Sequence, residues 1–193
     1  MAEINDGDTR TMRERMLAGD PYVADDPELG EASMRADDLT AAFNATTARQ
    51  GPLRRQLLEE LLGSIGEDTE IRPPLHVDYG TQLSIGSRTF ANWGLMAADV
   101  VSIRIGDDVQ IGPNVQLLAP THPIEPGPRR DKWEAGEPIT IGDNVWLGGG
   151  VIVCPGVTIG ENTVVGAGAV VPKDLPANVV AVGNPARVIK QLQ

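Results

Sequence analysis

The chain has 193 residues and a formal net charge of −11, from 16 basic and 27 acidic side chains, and only 4% of its residues are aromatic. That balance leaves no basic stripe to neutralise phosphates, which excludes a nucleic-acid partner, and no apolar run approaches the roughly 20 residues that span a bilayer. The single cysteine, Cys154, excludes an internal disulfide and a multi-cysteine zinc site. With an acidic, polar N-terminus unlike a secretory leader, the expected compartment is the cytoplasm.

The charge is uneven along the chain. Residues 1–78 hold 8 basic and 17 acidic side chains, whereas residues 139–193 hold 3 of each. Two constructions follow: a helical segment over 1–70 that packs on the rest, and a second unit over 71–193. The first helix is predicted over 9–18, stopped by Gly19-Asp20-Pro21. A second covers 31–48, ending before the breaker Gly51-Pro52. The third opens on Pro52, and Leu53, Leu57, Leu58, Leu61, Leu62 and Ile65 make one apolar stripe at helical spacing. Its polar face pairs Arg54-Arg55 with Glu59-Glu60, so it lacks the basic excess of a membrane-surface helix.

After Pro73-Pro74 the period changes to six. An apolar residue opens each hexad at Ile105, Ile111 and Leu117, then at Ile141, Leu147, Val153, Ile159, Val165 and Val171, often with glycine next. A short fixed period of β-branched and turn residues marks a parallel β-helix, whose coils bury their apolar faces only against one another. An earlier hexad opens at Ile85, so the phase slips by two residues before Ile105, which predicts a local bulge near 99–104. Between Leu117 and Ile141 the phase holds, but residues 122–138 carry four prolines and no apolar period. They are predicted to form an excursion loop, and loops on a rigid scaffold commonly carry the chemistry.

Two histidines are present, His76 and His122. His122 stands at the mouth of the excursion, in Ala119-Pro-Thr-His-Pro123. Imidazole can take the proton of a weakly acidic hydroxyl at neutral pH, which makes His122 the candidate general base over an incidental loop histidine. His76 reads as structural. Two histidines so far apart are too few for a solenoid metal site of about three imidazoles, so no metal is expected. No phosphate-binding glycine loop stands between a strand and a helix. Gly148-Gly149-Gly150 reads as turn geometry and coil packing, and Cys154 as a small buried hydrophobe.

Several runs carry a family resemblance: Thr121-His122-Pro123, Pro138-Ile-Thr-Ile-Gly-Asp-Asn-Val-Trp146, Pro155-Gly-Val-Thr-Ile-Gly160 and Gly183-Asn-Pro-Ala-Arg187. With Asp78-Tyr79-Gly80, Phe90-Ala91-Asn92, Met16-Leu-Ala-Gly19 and Phe43-Asn44, the chain resembles the hexapeptide-repeat acyltransferases, in their maltose and galactoside O-acetyltransferase branch. The resemblance implies a left-handed parallel β-helix, against the usual right-handed crossover, in a homotrimer with active sites at subunit interfaces. It further implies transfer of acetyl from acetyl-CoA to a hydroxyl of a sugar or glycoside. His122 is then the base, and the hydroxyl attacks the thioester directly without an acyl-enzyme.

Carried over by position, Asp78, Asn92 and Asp99 would bind the acceptor, and Glu134 would orient His122 or the acceptor. Gly112, Gly149, Ala167, Pro172 and Lys173 would line the pantetheine channel, with Arg187 and Lys190 near the nucleotide phosphates. Lys173, Arg187 and Lys190 are also the only basic residues after 138, which suits a polyanionic donor. Trp146 matches a position near the coenzyme arm, with core packing the alternative. The chain departs from the branch at Gly94, Cys154 and Pro172, and over Asp20–Asp25. These departures leave the acceptor open: an oligosaccharide signal, an antibiotic or another hydroxylated molecule is the alternative to a sugar, and a non-catalytic trimeric scaffold the alternative to an enzyme.

Overall fold

Thr11 opens the first helix, α1 (Met12–Ala18), with a capping box: its side chain accepts from the Glu14 amide while the Glu14 carboxylate accepts from the Thr11 amide. Gly19, at φ 78°, closes it. The computed structural model describes residues 7–193. The first six residues of the expected helical segment, at the end judged unlike a leader, lie outside that description.

Helix α2 (Pro27–Asn44) starts four residues before the predicted start at 31, because Asp26 caps the Glu28 and Leu29 amides and Pro27 takes the first turn. It ends at Asn44 rather than 48. Asn44 turns its side-chain amide onto the main chain of Leu75, at 2.8 and 2.9 Å, and so ties the helix to the solenoid. Helix α3 (Gly51–Leu61) buries Leu58 and Leu61 and stops there, since Leu62 is already extended. Ile65 therefore leaves the predicted helical stripe and enters the first coil.

The solenoid begins at Ser64, upstream of residue 71. Its three faces are parallel sheets. The first face stacks Ser64–Ile65, Leu83–Ile85, Ile103–Ile105, Ile139–Ile141 and Thr158–Ile159. The second stacks Glu70–Ile71, Phe90–Ala91, Gln110–Ile111, Trp146–Leu147, Val164–Val165 and Val179–Val182, with Arg187–Gln191 added antiparallel. The third stacks Leu75–Val77, Leu95–Ala98, Gln116–Leu118, Ile152–Val153 and Val170–Val171. Register places Ile65, Ile85, Ile105, Ile141 and Ile159 in one inward column, across the breaks in the hexad period before Ile85 and Ile105.

The two-residue slip before Ile105 is an enlarged corner at Asp99–Ser102, not a bulge within a strand. A matching enlargement at Asp78–Gln82 precedes Ile85. At the corner between second and third faces the coils touch backbone to backbone. A Cβ on Gly112 would lie 2.5 Å from the Gly149 nitrogen, and one on Gly148 the same distance from the Ala167 nitrogen. On the corner between first and second faces, Asn144, Asn162 and Asn178 form a side-chain ladder at 2.9 and 3.0 Å.

The excursion has structure of its own. A short helix, α4 (Pro126–Arg130), leads into the strand Trp133–Gly136, which pairs antiparallel with Pro120–Thr121 on one side and Tyr22–Val23 on the other. No helix among the described residues is long and apolar enough to cross a membrane.

Candidate active site

The corner between the third and first faces stacks Asp78, Asp99 and His122 on successive levels, then Cys154, then the pair Pro172-Lys173. Helix α2 and the strand Tyr22–Val23 lie over its lower coils, and a cavity of about 410 Å³ opens between them. Asp78, Tyr79, His122 and Glu134 line it, together with Leu29 and Ser33 of α2.

His122 stands half-exposed at the cavity mouth, its Nε2 3.7 Å from a carboxylate oxygen of Glu134, whose side chain is only 15% exposed. Strand pairing on both sides of Trp133–Gly136 fixes Glu134, with Tyr22 opposite it in register. The phenol of Tyr22 is fully buried beside it. Burial, then the Glu134 carboxylate, pushes its pKa far above the ordinary range.

Asp78 projects into the same cavity with its pKa raised to about 6, first by burial and then by Asp99, Glu134 and Asp37. Tyr79 is pushed up to about 12 by burial first, then by Asp78, Glu134, Asp99 and Asp26. Asp99 does not reach the cavity. It is fully buried, and it accepts from the backbone amides of Asp78 at 3.0 Å, Tyr79 at 2.9 Å and Gln82 at 3.2 Å. Its carboxylate therefore clamps the enlarged corner that presents Asp78, and burial raises its pKa despite those bonds.

The remaining candidates stand elsewhere in the chain. Asn92, Gly112, Gly149 and Ala167 stack at the corner between the second and third faces, so the width of the third face separates them from His122. The Asn92 side chain accepts from the Trp93 amide at 2.9 Å. Trp146 projects from the second face at 56% exposure, which removes the core-packing alternative. Arg187 and Lys190 are exposed on the last strand, and Pro172-Lys173 are exposed on the last coil of the His122 corner. Cys154 is half-buried against the core, and burial raises its thiol pKa. His76 points outward from the third face and lines no part of the cavity.

Tyr22, Leu29 and Ser33 were invisible as site residues in the sequence. Tyr22 reaches the site only through pairing with a strand more than a hundred residues away. The Asp-Pro start of α2 was the available signal for Leu29 and Ser33, since it shifts the helix over the cavity.

Residues 15–66 match the maltose acetyltransferase hexapeptide capping motif, and residues 138–173 the bacterial transferase hexapeptide of six repeats. The chain is 43% identical to nodulation protein L of Rhizobium meliloti over 93% of this chain and 98% of that protein. The structure of a maltose O-acetyltransferase from Clostridium difficile superposes with a TM-score of 0.95 at 44% identity, covering 96% of this chain and all 100% of the other. A galactoside acetyltransferase in complex with coenzyme A superposes at 0.92 with 39% identity, over 96% of this chain and 92% of that one. The chain belongs to the hexapeptide-repeat acyltransferases, in the maltose and galactoside O-acetyltransferase family.

Proposed function

We propose that this protein transfers acetyl from acetyl-CoA to a hydroxyl of a sugar or glycoside, with His122 as general base. The observation that carries the reading is the His122–Glu134 pair at the mouth of a cavity that also holds Asp78. Acetyl-CoA supplies the activated acyl group as a thioester, and the chain's residues supply the rest. Asp78 accepts hydrogen bonds from the sugar and holds one hydroxyl beside the imidazole. His122 takes that hydroxyl's proton as its oxygen bonds to the thioester carbon and the carbon–sulfur bond breaks. Glu134 balances the imidazolium, which then returns the proton to the departing thiolate. A half-buried Cys154 with a raised thiol pKa is a poor nucleophile, which supports direct transfer over an acyl-enzyme.

The donor's needs fit the residues present. Gly112 and Gly149 leave backbone exposed where coils nearly touch, Trp146 offers an exposed ring, and Lys173, Arg187 and Lys190 offer cations to phosphates. A homotrimer completes the site. The first face carries Ser84, Arg104, Thr140 and Thr158 outward, whereas the third carries His76, Met96, Gln116, Ile152 and Val170. Packing on the third face, the more apolar of the two, in threefold symmetry brings the Asn92 corner of one protomer toward the His122 corner of its partner. The lone thiol suits a reducing cytoplasm.

A screen of sugars and glycosides, read by free thiol released from acetyl-CoA, tests the reading. Acceptor-dependent release is expected. Absence of coenzyme A binding in calorimetry would refute it.

A further inference from the structure

Leu29 and Tyr79, which line the cavity beside His122, have a second hollow of about 230 Å³ on their other side. Arg13 of α1, Arg35 of α2, and Thr81 and Gln82 of the enlarged corner form its polar walls. The two chambers carry opposite charge. Asp78 and Glu134 line the first, and the second has two guanidinium groups and no carboxylate in its walls.

Of the two guanidinium groups, Arg35 has no carboxylate partner and Arg13 has one weak, exposed one. Arg35 donates to the Glu60 carbonyl at 2.8 Å, which anchors it and leaves its charge without a carboxylate. Arg13 stands 3.7 Å from Glu28 in a pair that is about half-exposed on both sides, so water screens it strongly. A planar guanidinium matches the oxygens of a carboxylate, sulfate or phosphate in two-point contact.

We infer that this second chamber is an acceptor subsite for an anionic substituent on the glycoside, carried by its aglycone or by a neighbouring sugar. The inference rests on the proposed acetyl transfer at His122. An anion is repelled by the Asp78–Glu134 end and attracted to the arginine end, so the acceptor enters one way round. The anion then lies between Arg13 and Arg35, the body of the acceptor crosses the Leu29–Tyr79 sill, and the hydroxyl at its other end meets His122. The paired chambers thus select both the class of acceptor and the hydroxyl acetylated.

The test uses two isosteric acceptors, the para-nitrophenyl and para-carboxyphenyl glycosides of the same sugar, which differ in charge and hardly in shape. Thiol release gives KM and kcat for each. The carboxylate is expected to show a KM about five- to tenfold lower, with a kcat ratio near one. Arg35→Gln and Arg13→Gln should each bring the KM ratio back toward one, and Arg35→Lys should keep part of the preference. The neutral acceptor, measured in every variant, separates lost folding from lost recognition. Equal KM values in the parent protein, or a preference that survives both glutamine variants, would overturn the subsite and leave acetyl transfer standing. Release from neither acceptor would overturn the transfer reading and the subsite with it.

Discussion

His122 and Glu134 come from one excursion, yet the strand Tyr22–Val23, far away in sequence, is what holds Glu134 beside the imidazole. If Glu134 acts by balancing the imidazolium, Glu134→Gln should lower kcat about tenfold with little change in KM, measured by thiol release. Asp78 makes a prediction with a definite sign. Its folded pKa of about 6 lies above the ordinary 3.8, so the native state holds its proton more tightly than the unfolded chain. The stability linked to this group is present below about pH 4 and is lost as pH rises toward about 6. Asp78→Asn should therefore flatten the fall in stability across that window. At pH 7 it should be more stable by about 1–2 kcal/mol in denaturant titrations, after discounting for the water that reaches the carboxyl. Asp99 shows where residue identity misleads. A carboxylate that folds back onto backbone amides and one that faces a ligand look alike in sequence.

At the scale of elements, the coils were legible because sterics repeat. Each face of each turn needs one inward apolar residue, most often Ile, Leu or Val, and the corner between second and third faces admits no Cβ at Gly112 or Gly148. Gly112→Ala must push the Gly149 backbone aside and is expected to cost about 1–3 kcal/mol, seen as a lower Tm. The enlarged corner at Asp78–Gln82 was not legible, because Ile65 completes an apolar helical stripe and hides the first coil. That corner depends on Asp99. Asp99→Ala should strip hydrogen-exchange protection from the amides of Asp78, Tyr79 and Gln82 and lower stability by about 1–3 kcal/mol. The strand within 122–138 was hidden for a different reason: its partners include a two-residue strand near the N-terminus, and such pairing leaves no local pattern.

For the whole molecule, the expected site residues divide between the His122 corner, the Asn92 corner and the second face of one solenoid, and the proposed threefold assembly would join them. Solution scattering should report a trimer, and a monodisperse monomer would leave Asn92 and Gly112 remote from His122. The family and the coil architecture were readable from a period of six and a few motifs, whereas the acceptor end was not, since helices, an enlarged corner and a distant strand build it jointly. The central claim is that His122 removes the acceptor proton. Steady-state thiol release from acetyl-CoA, compared between the parent protein and His122→Ala across the same sugar panel, tests it most directly. The account predicts a fall in kcat/KM of about 10²–10⁴ with coenzyme A binding retained, and full turnover by His122→Ala would contradict it.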